Sequence, residues 1–216
     1  MTALKALFSG LIAIALFATT TTSVQASKYV EGKHYTVISE QSTNKPELRE
    51  YFSYYCPTCR AYEPYLKDFK KVLPTGVKLE KTHVDFMGHT SAEIQFMLSK
   101  AHLIAEKTAI DKKFASAVFK YLQTDRSKVN SENDLRKIFT ASGGDGAKFD
   151  KGMKSFSIIS QAKRNKKVQD KLSKARQLTA VPTMVVNGKY LINSKSLDQK
   201  TFFADYTALV EHLFTL

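Results

Sequence analysis

Tyr51-Phe52-Ser53-Tyr54-Tyr55-Cys56-Pro57-Thr58-Cys59-Arg60 holds the only two cysteines of a 216-residue chain, three residues apart. Just upstream, Leu48-Arg49-Glu50-Tyr51-Phe52-Ser53-Tyr54 is apolar and aromatic enough for an interior strand, with one acid, Glu50, set into it. Downstream, Pro57 stands where a first helical turn accepts a missing N–H. Tyr62, Tyr65, Leu66, Phe69 and Leu73 follow at spacings of three and four, the apolar face of one helix. The stretch therefore predicts a strand handing the chain to a helix, with the cysteine pair on the junction. A helix start leaves N–H groups unpartnered and carries partial positive charge, which stabilises a thiolate. The thiolate is the reactive form, so Cys56, at the helix edge, is the candidate nucleophile. Cys59, one turn in, is the candidate resolving thiol.

Two other uses of such a pair fit poorly. Closing a four-residue loop removes little entropy from the unfolded chain, so the pair is a weak staple. A zinc site needs two more ligands, and His34, His83, His89, His102 and His212 are scattered with no ligand pattern among them. Redox chemistry is left, with neither metal nor organic cofactor. Stabilising the thiolate favours the reduced pair and makes its disulfide the stronger oxidant.

Further along, Pro74-Thr75-Gly76 ends the helix and Val77 to Val84 reads as a strand. Strand, helix, strand favours a right-handed crossover between parallel strands. Before the cysteines, Tyr35-Thr36-Val37-Ile38 is a candidate edge strand. After them, Thr90 with Glu93 predicts a capping box for a helix carrying Ile94, Met97, Leu98, Ala101, Ile104 and Ala105. A second helix carries Phe114, Val118, Tyr121 and Leu122, and a third starts near Ser131 and stops at Gly143-Gly144. A fourth holds Phe149, Met153 and Phe156. Four helices are too many for one crossover, so residues 88–160 read as an inserted helical subdomain within a domain formed by 27–87 and 161–216.

Residues 158–178 form another helix, with Val168, Leu172 and Ala175 on one side. Lys163, Arg164, Lys166, Lys167, Lys171 and Lys174 make it strongly basic, as a solvated face or as a dock for an acidic partner. In Val181-Pro182-Thr183-Met184-Val185-Val186-Asn187-Gly188-Lys189-Tyr190-Leu191-Ile192, Asn-Gly between apolar runs predicts a tight hairpin. Pro182 is a candidate cis residue, or simply a proline opening an edge strand. In the first case Val181 would offer its backbone to a bound peptide across the sheet from the helix start. An amphipathic helix after Asp198 buries Phe202, Phe203, Tyr206, Leu209, Val210, Leu213 and Phe214.

At the N-terminus, Lys5, the apolar run from Ala6 to Ala18 and Val24-Gln25-Ala26 read as a signal peptide of residues 1–26, cut before Ser27. The run is broken by Ser9 and Gly10 and is shorter than the roughly 18–20 residues of a membrane span. The mature chain is expected to be exported and soluble. Its charge, +13 overall and +12 without Lys5, suits acidic partners or an anionic membrane surface. The basic residues are dispersed, which argues against nucleic acid.

Three motifs, in order, carry a resemblance. They are Glu50-Tyr51-Phe52-Ser53-Tyr54-Tyr55-Cys56-Pro57-Thr58-Cys59, Lys81-Thr82-His83-Val84-Asp85-Phe86-Met87-Gly88, and Val181-Pro182 through Tyr190. Together they resemble the thioredoxin superfamily and, more closely, the DsbA family of periplasmic thiol:disulfide oxidoreductases. The resemblance implies an α/β thioredoxin fold interrupted by an all-helical insert, with Pro182 cis. It implies a periplasmic monomer that oxidises free cysteines of exported polypeptides through Cys56 and Cys59. A quinone-coupled membrane oxidase resembling DsbB would re-oxidise the pair. Glu50, Glu63 and Lys81 match charged groups near the site, or else are ordinary surface charges. Pro57-Thr58 replaces the Pro-His of the best-known members, so a milder oxidant is expected. A client-dedicated oxidant, or a reductase or isomerase of the same fold, stays open.

Overall fold

In this computed structural model, which describes residues 28–216, the cysteine stretch does join a strand to a helix. The expected signal peptide lies outside the described residues. The strands are β1 (Tyr35–Val37), β2 (Glu47–Phe52), β3 (Lys78–His83), β4 (Thr183–Val186) and β5 (Tyr190–Ile192), in the order β1-β5-β4-β2-β3. β2 pairs parallel with β3 and antiparallel with β4, so it is interior, as its apolar composition predicts. Register places Glu50 opposite both Met184 and Lys81. Side chains at directly opposed positions share a sheet face, so pairing alone brings an acid and a base together beneath the cysteines.

The predicted helix after Cys56 is broken. It comprises α1 (Pro57–Tyr62), a 3-10 turn (Glu63–Tyr65) and α2 (Leu66–Val72). Pro64 sits in the turn. A proline inside a helix has no N–H to give and its ring crowds the carbonyl four residues back, so the chain tightens there. The buried face persists across the break: Tyr62, Leu66 and Phe69 pack with Tyr206, Leu209 and Leu213 of α8 (Phe202–Leu213).

Between β3 and β4 come α3 (Ala92–Lys107), α4 (Asp111–Phe119), a π-helical turn (Lys120–Thr124), α5 (Glu132–Ala141), α6 (Gly146–Met153) and α7 (Phe156–Lys174). Three details differ from expectation. Ser91 caps α3, accepting the Ile94 N–H at 3.3 Å, in place of a Thr90–Glu93 box. Phe156 opens α7 instead of closing the helix before it, and is 85% exposed. Along α7 the buried residues are Ile158, Ala162, Gln169 and Leu172, while Val168 and Ala175 face solvent. The helix serves two cores, which is why a single stripe misjudged it. Ile158 and Ala162 enter the helical core, whereas Leu172 joins Leu178, Tyr51 and Val185 on the sheet. α7 thus runs unbroken through residue 160.

The hairpin forms as predicted. Asn187 and Gly188 both take positive φ (53° and 63°), and Lys189 N–H closes the turn on the Val186 carbonyl at 2.9 Å. No helix among the described residues is long and apolar enough to cross a membrane.

Candidate active site

Cys56 is the N-cap of α1, with its Sγ accepting the Cys59 N–H at 3.1 Å. Its thiol also donates to the Val181 carbonyl at 3.3 Å, and the Val181–Pro182 peptide is cis. Pro57 takes the first helical position, where no N–H is missed. Pro57 and Thr58 are exposed while Cys59 is fully buried beneath them. Both cysteines are free thiols. The loop before them folds on itself, since Ser53 O accepts the Cys56 N–H and Ser53 Oγ accepts the Tyr55 N–H, each at 3.1 Å.

This geometry splits the two thiols. The Cys59 thiol hydrogen bond, helped by the Cys59 and Thr58 N–H groups, brings Cys56 down from 9.0 to about 7 against burial and the Glu50 charge. Burial pushes Cys59 the other way, and the Cys56 charge adds to it. One thiol is brought toward ionisation and its neighbour is held back from it.

Glu50, Glu63 and Lys81, far apart in sequence, meet below the pair. Glu50 is fully buried, and its Oε2 pairs with Lys81 Nζ at 3.1 Å. Lys81 hydrogen-bonds Glu63 and places its Nζ 4.3 Å from the Phe52 ring centroid. Burial raises the Glu50 pKa, with Lys81 opposing and Glu63 adding. For Lys81 burial pulls downward, but Glu50 and Glu63 outweigh it and the net shift is upward. A cavity of about 280 Å³ reaches Glu63 and Lys81, with His102 and Glu106 on its wall, while Glu50 stays sealed behind Lys81.

Sequence reasoning weighed His83 and His102 only as metal ligands and gave them no place beside the cysteine loop. His83 and His102, on β3 and α3, are both buried against Phe52 and Tyr54. His83 Nδ1 bonds Ser99 Oγ at 3.0 Å, and burial holds its pKa well below the imidazole range, the neighbouring His102 adding to the effect. Spacing offered no signal for this meeting, because the fold alone brings the two elements together. Among the described residues no group of three His, Cys, Asp or Glu is gathered to hold a metal. On the basic α7, Lys166 is engaged with Asp85 and Asp170 at 3.0 and 3.2 Å.

Residues 47–202 match a family model described as the DSBA-like thioredoxin domain. The thiol:disulfide interchange protein DsbA of Haemophilus influenzae is 34% identical over 210 residues, covering 94% of this chain and 97% of that protein. Its counterpart from Yersinia pestis is 31% identical over 199 residues, 89% and 92% of the two chains. Among solved structures, Klebsiella pneumoniae DsbA superposes with a TM-score of 0.74 at 30% identity, over 88% of this chain and all (100%) of that one. A Proteus mirabilis DsbA variant with a non-covalently bound peptide reaches 0.76 at 25% identity, over 88% and 100%.

Proposed function

The chain belongs to the DSBA-like thioredoxin-domain family, and from that premise we propose that Cys56 and Cys59 are the redox pair with which it introduces disulfides into exported proteins. In the oxidised protein the two sulfurs are joined. A client thiolate attacks Cys56 Sγ, the Cys56–Cys59 bond breaks, and Cys59 leaves and takes up a proton. A second client thiolate then attacks the client sulfur of the mixed disulfide and expels Cys56 as a thiolate. The client gains one disulfide, and two electrons remain on the pair. In the reverse direction Cys59 loses its proton and attacks Cys56 to resolve the mixed disulfide.

The observation that carries this reading is the setting of Cys56 Sγ, between the Cys59 N–H at 3.1 Å and the Val181 carbonyl at 3.3 Å. The N–H stabilises Cys56 as a leaving group, which makes the disulfide oxidising. Val181 and Pro182 present backbone to the client beside the reacting sulfur. Pro57 fixes the first turn, and Thr58 tunes the thiolate by its hydroxyl. Glu50, buried beside Lys81 and linked through it to Glu63, tunes the pair through its charge, which raises both thiols.

A leader of residues 1–26 delivers the chain to the periplasm, where it acts as a monomer on polypeptides with free cysteines. Two segments, 27–87 and 161–216, make up the thioredoxin domain around the 88–160 helical insert. A membrane oxidase resembling DsbB, coupled to quinone, re-oxidises the pair. The measurement that decides is the potential of the Cys56–Cys59 couple in glutathione buffers. A value well above the glutathione pool is expected; one near about −270 mV, as for thioredoxin, sinks the assignment. Cys56→Ala is expected to lose all turnover, which a non-catalytic peptide clamp would not.

A further inference from the structure

The geometry points to Gln123 and His102 as positioning residues that hold the Cys56 loop from the helical layer by gripping Tyr54 at two points. This rests on Cys56 being the nucleophile. Tyr54 is fully buried and stands two residues before Cys56. Its carbonyl accepts Gln123 Nε2–H at 2.8 Å, and its hydroxyl shares a hydrogen bond of 2.9 Å with His102 Nδ1. His102 lies on α3, with its Nε2 3.3 Å from Glu106 Oε1. Gln123 lies in the π-helical turn that comes after α4.

Regular structure secures this loop only at its ends. β2 ends at Phe52 and α1 begins at Pro57, where the Cys56 carbonyl accepts the Arg60 N–H at 3.2 Å; the remaining backbone N–H bonds of the loop go to Ser53. Lateral support comes from the helices. The Tyr54 ring meets Phe119 at 5.1 Å and Phe114 at 6.3 Å between centroids, both from α4. A π turn inserts one residue into the helical ladder and re-aims the side chains beyond it, a device that recurs at functional sites. Here Asp125 N–H reaches back to Lys120 O at 2.9 Å, and the same segment that packs Phe119 on the ring supplies the donor for the Tyr54 carbonyl. Two bonds at opposite ends of one residue fix both its backbone and its ring. If Tyr54 shifts, Cys56 shifts against the Cys59 N–H, and the 3.1 Å contact to its sulfur lengthens and weakens.

The test compares Gln123→Ala, His102→Leu and His102→Gln with the parent chain. Three quantities are read: Cys56 thiolate titration by thiolate absorbance, the rate at which a second cysteine peptide releases Cys56 from the mixed disulfide, and the thermal midpoint. Gln123→Ala and His102→Leu are expected to move the Cys56 titration up and slow that release by ~3-fold, the equivalent of about half a pKa unit. His102→Gln, which can still bond the Tyr54 hydroxyl, is expected to recover the parent values. A fall in thermal midpoint with titration and rate unmoved would overturn the positioning role. If His102→Leu does not fold, half-buried Gln123 decides alone. An inactive parent chain would instead strike at Cys56 as nucleophile.

Discussion

We propose Thr58 as the residue on which oxidising strength turns. It is exposed beside the Cys56 thiolate and offers only a hydroxyl and its own N–H, which already helps lower the thiol. Thr58→His would add positive charge there. We expect it to lower Cys56 by about one unit, ~1.4 kcal/mol, and to raise the couple's potential by ~30 mV. Glutathione equilibration checks this, and an unchanged potential removes Thr58 as the tuning residue. Cys56 also sets a pH dependence. Its folded pKa, about 7, lies below the ordinary 9.0, so its contribution to the reduced protein is full above 9 and is lost as pH falls through 7. The stability gap between reduced and oxidised protein should therefore widen from pH 7 to pH 9. Urea midpoints of both forms measure it, and parallel curves would contradict it.

At the scale of elements, local signals were readable and shared ones were not. Strand β2, the start of α1 at Pro57 and the Asn187-Gly188 hairpin each depend on a few adjacent residues, and each lies where the sequence put it. Pro64 overrides the apolar spacing that continues past it. In α7 a helix divided between two cores has no single stripe to find. The Glu50–Lys81 contact was recognisable only by resemblance until strand register supplied its cause, and the His83–His102 meeting had no local trace at all. The hairpin carries its own prediction. Asn187 holds φ of 53°, and its Oδ1 accepts the Glu47 N–H at 3.1 Å. Asn187→Ala should cost about 2 kcal/mol, combining left-handed strain with the lost bond. Asn187→Gly should recover only the backbone share, and equal urea midpoints for the two variants would exclude strain.

Across the whole molecule, one buried charge is kept at a cost to stability. Burial raises Glu50 in the folded state, so its favourable contribution is complete at low pH and is lost as pH rises through the folded value. At neutral pH it is a liability. Glu50→Gln should then stabilise the fold by about 1 kcal/mol at neutral pH and progressively less toward the carboxylate range, since Lys81 keeps Glu63. Denaturation across pH checks the sign, and uniform destabilisation would reject it. The contact between Cys56 and the Val181 carbonyl has a consequence in time. Its two ends lie 125 positions apart in the chain, and a chain is made and threaded from its N-terminus onward. Cys56 is thus delivered long before the backbone that covers it, and β2 waits still longer for β4. A newborn molecule passes through an interval with the Cys56 sulfur uncovered and two of its five strands, β4 and β5, missing. It is itself, for that interval, a client with free cysteines.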